Sequence, residues 1–318
     1  MLATLTHDRS VFPSAIANDA SIGSLSDTIE WLNANLTTLK DELAATGALL
    51  FRGFPVDNVH SYDRFFSSFN FNAFTYDESL SNAVRVNHTP RVFTANEAPA
   101  DVEIFLHNEM AQTPIYPRVI SLFCESAAEE GGATALCRCD QLYERLSAEE
   151  AALTAKLENT GIKYTTAMPY KDSPETGQGR NWQGTLNVET RDEAEQKLRA
   201  LGYSWRWNQG QVLLAQTAAL PAVRLLDDGR RVFFNQIIAA YMGWKGVREN
   251  PSSALCFGDD SPIPHGFLEK VVSISEELVY DLCWQDGDVA LVDNNLVMHG
   301  RRPYAGDRKR MVFVALGR

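Results

Sequence analysis

The sequence lacks an excess of positive charge. Its 318 residues include 29 Lys and Arg against 41 Asp and Glu, so the formal net charge is -12 at pH 7. A field of this sign repels phosphate backbones and anionic membrane surfaces. We therefore expect neither nucleic acid nor a membrane among the partners of this protein.

The chain also has little of what marks membrane or disulfide-rich proteins. No stretch approaches the roughly 18 consecutive apolar residues of a membrane-spanning helix, and the first residues do not resemble a secretion signal. The five cysteines are odd in number and none shows the C-x-x-C spacing, which favours free thiols in a reducing compartment. These absences predict a soluble, cytoplasmic protein.

What is present is a globular composition with many short strand-like segments. Apolar residues at alternating spacings of three and four predict a helix over residues 29–43 that ends at Gly47. Capping boxes that begin at Ser147 and Thr190 predict two further helices. Segments rich in β-branched and aromatic residues predict strands over residues 48–51, 119–124, 211–215, 232–234, 289–292 and 311–316. The irregular order of these elements argues against a doubly wound parallel sheet and favours a mainly β chain with flanking helices, in the α+β class.

Two polar segments interrupt this pattern, over residues 87–101 and 166–182. Long loops in a compact domain often cover a site, although a solvated insertion explains them equally well. We expect both segments to be active-site loops.

One short segment carries metal-binding residue types at a suggestive spacing. Side chains two residues apart in an extended segment leave the same face, so His107 and Glu109 would converge on one point. His299 follows an apolar, strand-like run and could supply a third ligand. Two imidazoles and one carboxylate form the facial triad of non-haem Fe(II) oxygenases, which leaves three positions open on the metal. A histidine and a glutamate two residues apart also arise often by chance, so the pair alone is a weak signal.

The motifs around these residues strengthen the interpretation. They are GALLFRGF (47–54), LHNEM (106–110), EGGAT (130–134), VFFNQ (232–236), WQDGD (284–288), DNN (293–295) and HGR (299–301). Together they resemble the taurine dioxygenase and clavaminate synthase superfamily of Fe(II)/2-oxoglutarate-dependent oxygenases. Within this superfamily, the resemblance is strongest to the syringomycin-biosynthesis-type hydroxylases. The resemblance covers nearly the full length. It implies one oxygenase domain over residues 1–318 with a double-stranded β-helix core, the jelly roll also found in cupins.

The resemblance further implies the site residues and the cofactors. His107, Glu109 and His299 would hold Fe(II), with O₂ and 2-oxoglutarate as cosubstrates. Facing strands of the barrel would bring the two histidines together. Arg310 would pair with the distal carboxylate of 2-oxoglutarate, and Thr134 would donate a hydrogen bond to the same cosubstrate. A planar guanidinium suits this task because it matches a carboxylate bidentately.

Arg308 competes with Arg310 for that task. Period-two alternation places both on the face that also carries Val312 and Val314, and the spacing from His299 in the family favours Arg310. Val314 occupies the position where taurine dioxygenase has a second arginine for its sulfonate, so taurine is a poor substrate guess.

The implied reaction is hydroxylation of an unactivated C–H bond in an amino acid or amino-acid-derived small molecule of secondary metabolism. Desaturation and cyclisation begin with the same hydrogen abstraction and stay open. Halogenation is disfavoured because related halogenases lack the metal carboxylate that Glu109 supplies. The substrate could be free or tethered to a carrier protein. Carrier proteins are usually acidic, and the charge of -12 would repel them, which favours a free small molecule.

Several polar residues near the motifs have two possible uses. Asn108, Asp293, Asn294 and Asn295 could hydrogen-bond to the metal ligands or form turns. Candidates for substrate binding are Asn96, Glu97, Arg118 and Gln236, although each could equally cap a strand or a loop.

Two other classes of protein fit part of the pattern. A zinc hydrolase also accepts two histidines and a glutamate, with water as the fourth ligand. Such an enzyme has no need of Arg310 and Thr134, so these two residues favour the oxygenase. A jelly-roll binding module with an inactive metal site is the third alternative, and the intact set of three ligands argues against it.

Overall fold

A computed structural model describes residues 12–81, 85–95, 98–172, 180–209 and 211–318. The α-helices within these residues are α1 (Leu25–Thr46), α2 (Val59–Ser67), α3 (Cys139–Glu149), α4 (Ala151–Thr160), α5 (Trp182–Leu186), α6 (Arg191–Ala200), α7 (Ile237–Gly243) and α8 (His265–Leu278). Short 3₁₀ helices lie at Tyr76–Glu78 and Pro251–Ser253.

The strands in the same ranges are β1 (Ser14–Ala17), β2 (Ala48–Arg52), β3 (Ala73–Phe74), β4 (Val92–Thr94), β5 (Ile104–His107), β6 (Val119–Ser126), β7 (Glu130–Gly131), β8 (Thr134–Arg138), β9 (Ile162–Met168), β10 (Ser204–Trp207), β11 (Leu213–Gln216), β12 (Val223–Leu225), β13 (Arg231–Phe233), β14 (Leu255–Phe257), β15 (Tyr280–Leu282), β16 (Val289–Asp293), β17 (Val297–Arg301), β18 (Tyr304–Ala305) and β19 (Met311–Gly317). Every strand predicted from the sequence overlaps one of them.

Two β-sheets form the core of the fold. The larger sheet has the order β1-β2-β16-β6-β19-β3, with β4 also paired to β19, and the smaller has the order β15-β8-β17-β5. Side chains from both sheets line one narrow cavity, so the two sheets face each other. A further sheet, β10-β11-β9-β14, lies outside this pair. The expectation of a mainly β fold with a jelly-roll core and flanking helices is confirmed.

Alternation along the strands of the larger sheet divides the apolar residues between two cores. In β19, Val312, Val314 and Leu316 join the core between the sheets, whereas Phe313 and Ala315 join the core beneath α1 and α2. This is the period of two that an extended strand imposes on its side chains. The larger sheet is therefore covered on both faces, and its inner face is available to build a site.

Local signals place the two best-predicted helices. Helix α1 begins after Ser24, whose hydroxyl accepts a hydrogen bond from the backbone of Asp27, and ends at Gly47 in the left-handed conformation, with φ of 88°. Helix α6 begins with the predicted capping box of Thr190 and Glu193. Both predictions are confirmed. A helix cap depends on residues only three or four positions apart, so it can be predicted from the sequence alone.

The capping box expected at Ser147 is wrong. Helix α3 begins at Cys139 and runs through Ser147, and the helix that follows is capped by Glu150 without a side-chain hydrogen bond. Burial of Leu142 and Leu146 against the core holds this stretch helical. The Ser-x-x-Glu spacing therefore lies across the end of one helix and not at the start of the next.

The two polar segments are shorter as loops than the sequence suggested. The segment 87–101 contains β4, and residues 96 and 97 lie outside the described part of the chain. In the segment 166–182, β9 continues to Met168 and α5 begins at Trp182, while residues 173–179 are again outside the described part.

No helix among the described residues combines the length and the apolar character needed to cross a membrane.

A buried ion pair ties the larger sheet to the turn before β16. Arg52 contacts both carboxylate oxygens of Asp288 through Nε, at 3.0 and 3.2 Å, and donates through a terminal nitrogen at 2.6 Å. Asp288 also accepts a hydrogen bond from the backbone of Gln285 at 2.8 Å. The Asp288 side chain is only 1% exposed, so its charge depends on these partners.

We expect Arg52→Ala to destabilise the protein by about 3–5 kcal/mol, because it leaves the Asp288 carboxylate buried without its counter-ion. Urea unfolding measures the change. Arg91→Ala is the matched control, since Arg91 pairs with Asp63 on the surface, and it is expected to cost less than about 1 kcal/mol. Equal losses in the two variants would contradict the importance of the buried pair.

Candidate metal centre

The two predicted histidine ligands meet through strand pairing. His107 is the last residue of β5 and pairs directly with His299 of β17. Their ring centroids are 4.3 Å apart. The expectation that facing strands bring them together is therefore wrong: they lie on adjacent, hydrogen-bonded strands of the smaller sheet. Residues directly opposite in an antiparallel pair point to the same face, which explains the contact.

Glu109 completes the cluster from just beyond the end of β5. Its Oε2 atom lies 3.6 Å from Nε2 of His107 and 3.5 Å from Nε2 of His299. The three donor atoms all lie within 4.8 Å of one another. Two bonds of about 2.0–2.2 Å to a shared ion span at most about 4.4 Å, so the 3.5 and 3.6 Å distances from Glu109 to the two histidines are compatible with a shared ion. The donor set of two imidazoles and one carboxylate therefore fits a divalent metal such as Fe(II).

Two buried asparagines fix the backbone that carries the carboxylate. Asn294 accepts a hydrogen bond from the backbone nitrogen of Glu109 at 2.6 Å and donates one to its carbonyl at 3.0 Å. Asn108 in turn donates to the carbonyl of Asn294 at 2.6 Å. Asp293 instead accepts from the backbone of Asn295 at 2.9 Å, which is a turn contact. Of the four polar candidates, Asn108 and Asn294 hold the site and the other two form the turn.

The electrostatics of the cluster suit a metal ligand set. Burial raises the pKa of Glu109, but hydrogen bonds from His107 and His299 outweigh it and hold that pKa well below its usual range. Burial also lowers the pKa of His299, with His107 contributing, which favours the neutral imidazole. Nδ1 of His107 lies 2.8 Å from the carbonyl of Phe105, a contact that leaves Nε2 as the ligand atom when Nδ1 carries the proton.

A narrow cavity extends from the cluster between the two sheets. Arg310, Val312 and Val314 line it together, as the predicted alternation requires. Nε of Arg310 donates to the carbonyl of Gly132 at 3.0 Å. Arg308 instead pairs with Asp286 at the surface and does not line the cavity.

Thr134 lies in the wall of the same cavity. Its hydroxyl oxygen accepts a hydrogen bond from the indole nitrogen of Trp284 at 2.9 Å. Because a hydroxyl donates one hydrogen bond and accepts through its lone pairs, this contact leaves the Thr134 proton available to a group in the cavity.

Arg301, which is buried, and Arg310, which is half-buried, contribute positive charge to the cavity together with Arg85. Burial lowers the pKa of Arg310 to about 10, with Arg301 contributing, and burial also lowers the pKa of Arg301. Arg301 donates to the carbonyls of Ala98, Pro99 and Val102 at 3.1, 2.6 and 2.6 Å. Within the described part of the chain, neither arginine forms an ion pair with a carboxylate. Buried cations without counter-ions are costly, so this cavity is built to receive an anion.

A larger cavity of about 710 Å³ also reaches the metal cluster, since His107 and Glu109 line it. Its wall includes residues of β9, β11, α5 and α7 and the segment 102–105. It shares four wall residues with the narrow cavity, namely Arg85, Ile104, His107 and Glu109. This volume lies within the roughly 300–1,000 Å³ range of small-molecule sites.

The candidate substrate residues lie in different parts of the structure. Gln236 lies in the wall of the large cavity, where its amide donates to the carbonyl of Asn108 at 3.1 Å. Asn96 and Glu97 lie outside the described residues. Arg118 is exposed just before β6, where its backbone nitrogen donates to the carbonyl of Gly317, and it lines neither cavity.

Sequence reasoning missed further residues of the site. Arg301 and Trp284 lie inside the recognised motifs, so the sequence could have identified them as site residues. Tyr76 and Arg85 belong to no recognised motif, because only the folded chain brings them to the cluster. The Tyr76 hydroxyl lies 3.3 Å from Oε1 of Glu109 and accepts from Nε of Arg85 at 3.1 Å.

Comparison with known proteins agrees with this geometry. A clavaminate synthase-like protein of Arabidopsis thaliana is 34% identical over 275 residues, which are 86% of this chain and 82% of that protein. The dapdiamide synthesis protein of Enterobacter agglomerans is 26% identical over 280 residues, or 84% and 81% of the two chains.

Solved structures share the fold at low sequence identity. An asparagine oxygenase superposes with a TM-score of 0.55 at 12% identity, covering 95% of this chain and 93% of that one. A taurine dioxygenase from Burkholderia xenovorans gives a TM-score of 0.51 at 16% identity, covering 90% and 81%.

The family model for the taurine catabolism dioxygenase TauD, TfdA family matches residues 10–316. This match spans the metal cluster, both buried arginines and the two facing sheets. The chain therefore belongs to the TauD/TfdA family of Fe(II)- and 2-oxoglutarate-dependent dioxygenases.

Proposed function

We propose that this dioxygenase hydroxylates an unactivated C–H bond of an amino acid or amino-acid-derived small molecule in secondary metabolism, and that residues 1–318 act as one oxygenase domain. The observation that carries the proposal is that the His107, Glu109 and His299 cluster lines a narrow cavity, while two of its members, His107 and Glu109, also line a large one. One cavity is narrow and cationic, and the other is large enough for an organic substrate. Similarity to a dapdiamide synthesis protein supports a biosynthetic role.

The narrow cavity suits 2-oxoglutarate. A dicarboxylate can place one end at the metal cluster and the other at Arg310, whose guanidinium matches a carboxylate in shape and charge. Arg301 adds a second positive charge nearby, and the Thr134 hydroxyl can donate to the same carboxylate. When bound, Fe(II) and 2-oxoglutarate supply the activation of O₂, with release of succinate and CO₂.

The large cavity suits the substrate. It reaches His107 and Glu109, so a molecule bound there can present a C–H bond to the metal cluster. We assign Gln236 to the substrate side, since it lies in this wall and its amide is fixed by the carbonyl of Asn108. Desaturation and cyclisation remain alternative outcomes of the same hydrogen abstraction, and the product distinguishes them: hydroxylation adds one oxygen atom, whereas the other two remove two hydrogen atoms.

The two other classes of protein fit less well. A zinc hydrolase gives no reason for two buried arginines beside the metal cluster. An inactive binding module gives no reason for Asn294 to hold the backbone of Glu109 through both of its amide atoms. Fe(II)/2-oxoglutarate chemistry uses all of these features.

The metal assignment is tested by His299→Ala. We expect this variant to lose turnover by more than the roughly 10- to 100-fold cost of losing an outer-shell partner, because it removes a ligand itself. Iron content and the visible charge-transfer band that 2-oxoglutarate produces on anaerobic addition to iron-loaded protein are the measurements. His60→Ala, at an exposed position of α2, is the control and should keep the band. Full turnover by iron-loaded His299→Ala would refute the ligand set.

The cosubstrate assignment is tested by Arg310→Gln. Loss of a charge-assisted contact should weaken 2-oxoglutarate binding by about 10- to 100-fold while iron binding is retained. Titration of the charge-transfer band measures both quantities. Arg308→Gln removes the competing arginine, which pairs with Asp286 at the surface, and should change the affinity less than about 2-fold. If Arg308→Gln had the larger effect, the assignment would have to be reversed.

The role of Trp284 is tested by Trp284→Phe. The indole N–H orients the Thr134 hydroxyl, so its loss should weaken 2-oxoglutarate by about 2- to 10-fold without loss of iron. Thr134→Val should have a similar effect, and the double variant should be little worse than either, because both remove one interaction. Additive losses would show that the two residues act independently. Trp205→Phe, in the separate sheet, serves as the control.

A further inference from the structure

Four described residues in the wall of the large cavity, apart from histidine, carry a charged side chain. Among the described wall residues, the carboxylates are Glu103 and Glu109 and the cations apart from histidine are Arg85 and Lys245. Glu103 accepts a hydrogen bond from Arg302 at 2.7 Å, and Glu109 belongs to the metal cluster. Both described carboxylates of the wall therefore already have partners.

Arg85 is the cation closest to the chemistry. It lines both cavities, together with His107 and Glu109, whereas Lys245 is exposed and lines only the large one. Arg85 thus lies at the junction where a substrate and the metal cluster meet.

The guanidinium of Arg85 is held in a defined position. Its Nε donates to the hydroxyl of Tyr76 at 3.1 Å, and its carbon atom Cζ lies 5.2 Å from the centre of the Tyr76 ring. The same hydroxyl lies 3.3 Å from Oε1 of Glu109. Tyr76 is buried, so this contact fixes Arg85 relative to the metal carboxylate. A positioned guanidinium beside the reacting centre recognises a carboxylate more strongly than any neutral acyl group.

We propose that Arg85 binds a carboxylate of the substrate, so that the enzyme acts on a free carboxylic acid and not on an acyl group tethered to a carrier protein. The inference rests on the proposed function and narrows its substrate class. A tethered aminoacyl group is a neutral thioester and offers Arg85 no negative charge. The net charge of -12 adds to this selectivity, because it opposes approach of an acidic carrier protein.

The experiment uses iron-loaded full-length protein with 2-oxoglutarate under anaerobic conditions. The probes are the proteinogenic L-amino acids, each compared with its carboxamide and with its N-acetylcysteamine thioester. We expect at least one free acid to shift the charge-transfer band and to stimulate succinate formation in air. The matching amide and thioester should bind about 10- to 100-fold more weakly.

Variants then connect this preference to Arg85. Arg85→Gln should lose the preference for the acid, whereas Arg85→Lys, which keeps the charge but not the bidentate geometry, should recover part of it. Arg91→Gln is the matched control on the surface and should behave as the unmodified enzyme.

The possible results distinguish a failure of the Arg85 inference from a failure of the proposed function. If the charge-transfer band forms but amides or thioesters act as well as acids, if no acid acts, or if Arg85→Gln keeps the acid preference, the inference about Arg85 is overturned while the oxygenase assignment stands. If the band does not form at all in folded, iron-loaded protein, the proposed function fails and the substrate inference fails with it.

Discussion

The site depends on the register in which β5 pairs with β17. In this register His107 lies opposite His299, and both imidazoles leave the sheet on the same face. A shift of one residue would turn one imidazole to the other face. Gly300 allows the strands to approach this closely, since a Cβ atom there would lie 2.5 Å from the carbonyl oxygen of Ile104. The facial arrangement of ligands is thus a property of the sheet before any metal binds.

A second constraint is the enclosure of opposite charges around one narrow cavity. The Glu109 carboxylate and the guanidinium groups of Arg301 and Arg310 all line it. Gly132 makes room for this arrangement, because a Cβ atom at that position would lie 3.0 Å from Cδ of Arg310. The two terminal nitrogens of Arg301 donate to three backbone carbonyls, and its buried Nε has no hydrogen-bond partner. Its charge therefore remains available to the cavity, and a dianion bound there would offset the cost of burying positive charge.

The sequence predicts those features that depend on short spacings or on recognisable motifs. The end of α1 at Gly47 and the start of α6 at Thr190 depend on residues a few positions apart, and both are found where expected. The Ser147 box fails because the same spacing fits the end of a helix, and burial of Leu142 decides between the two.

The metal ligands could be predicted from short sequence motifs, whereas the residues that line the large cavity could not. The ligands and both buried arginines belong to strands or strand ends of the two facing sheets, so short motifs mark them. The large cavity is built from β9, β11, α5, α7 and the segment 102–105, which meet only in the folded chain. No local pattern could therefore reveal the position of Arg85, although it lies beside the ligands.

The shared wall of the two cavities has a consequence for selectivity. Arg85 is positioned by Tyr76, and the Tyr76 hydroxyl also contacts the metal carboxylate Glu109. The group that recognises the substrate acid is therefore linked through one buried phenol to the group that holds the metal. A change that moves Arg85 also disturbs the surroundings of Glu109. Because Arg85 and Glu109 both contact the Tyr76 hydroxyl, recognition of the substrate carboxylate is coupled to the position of the metal carboxylate in this fold.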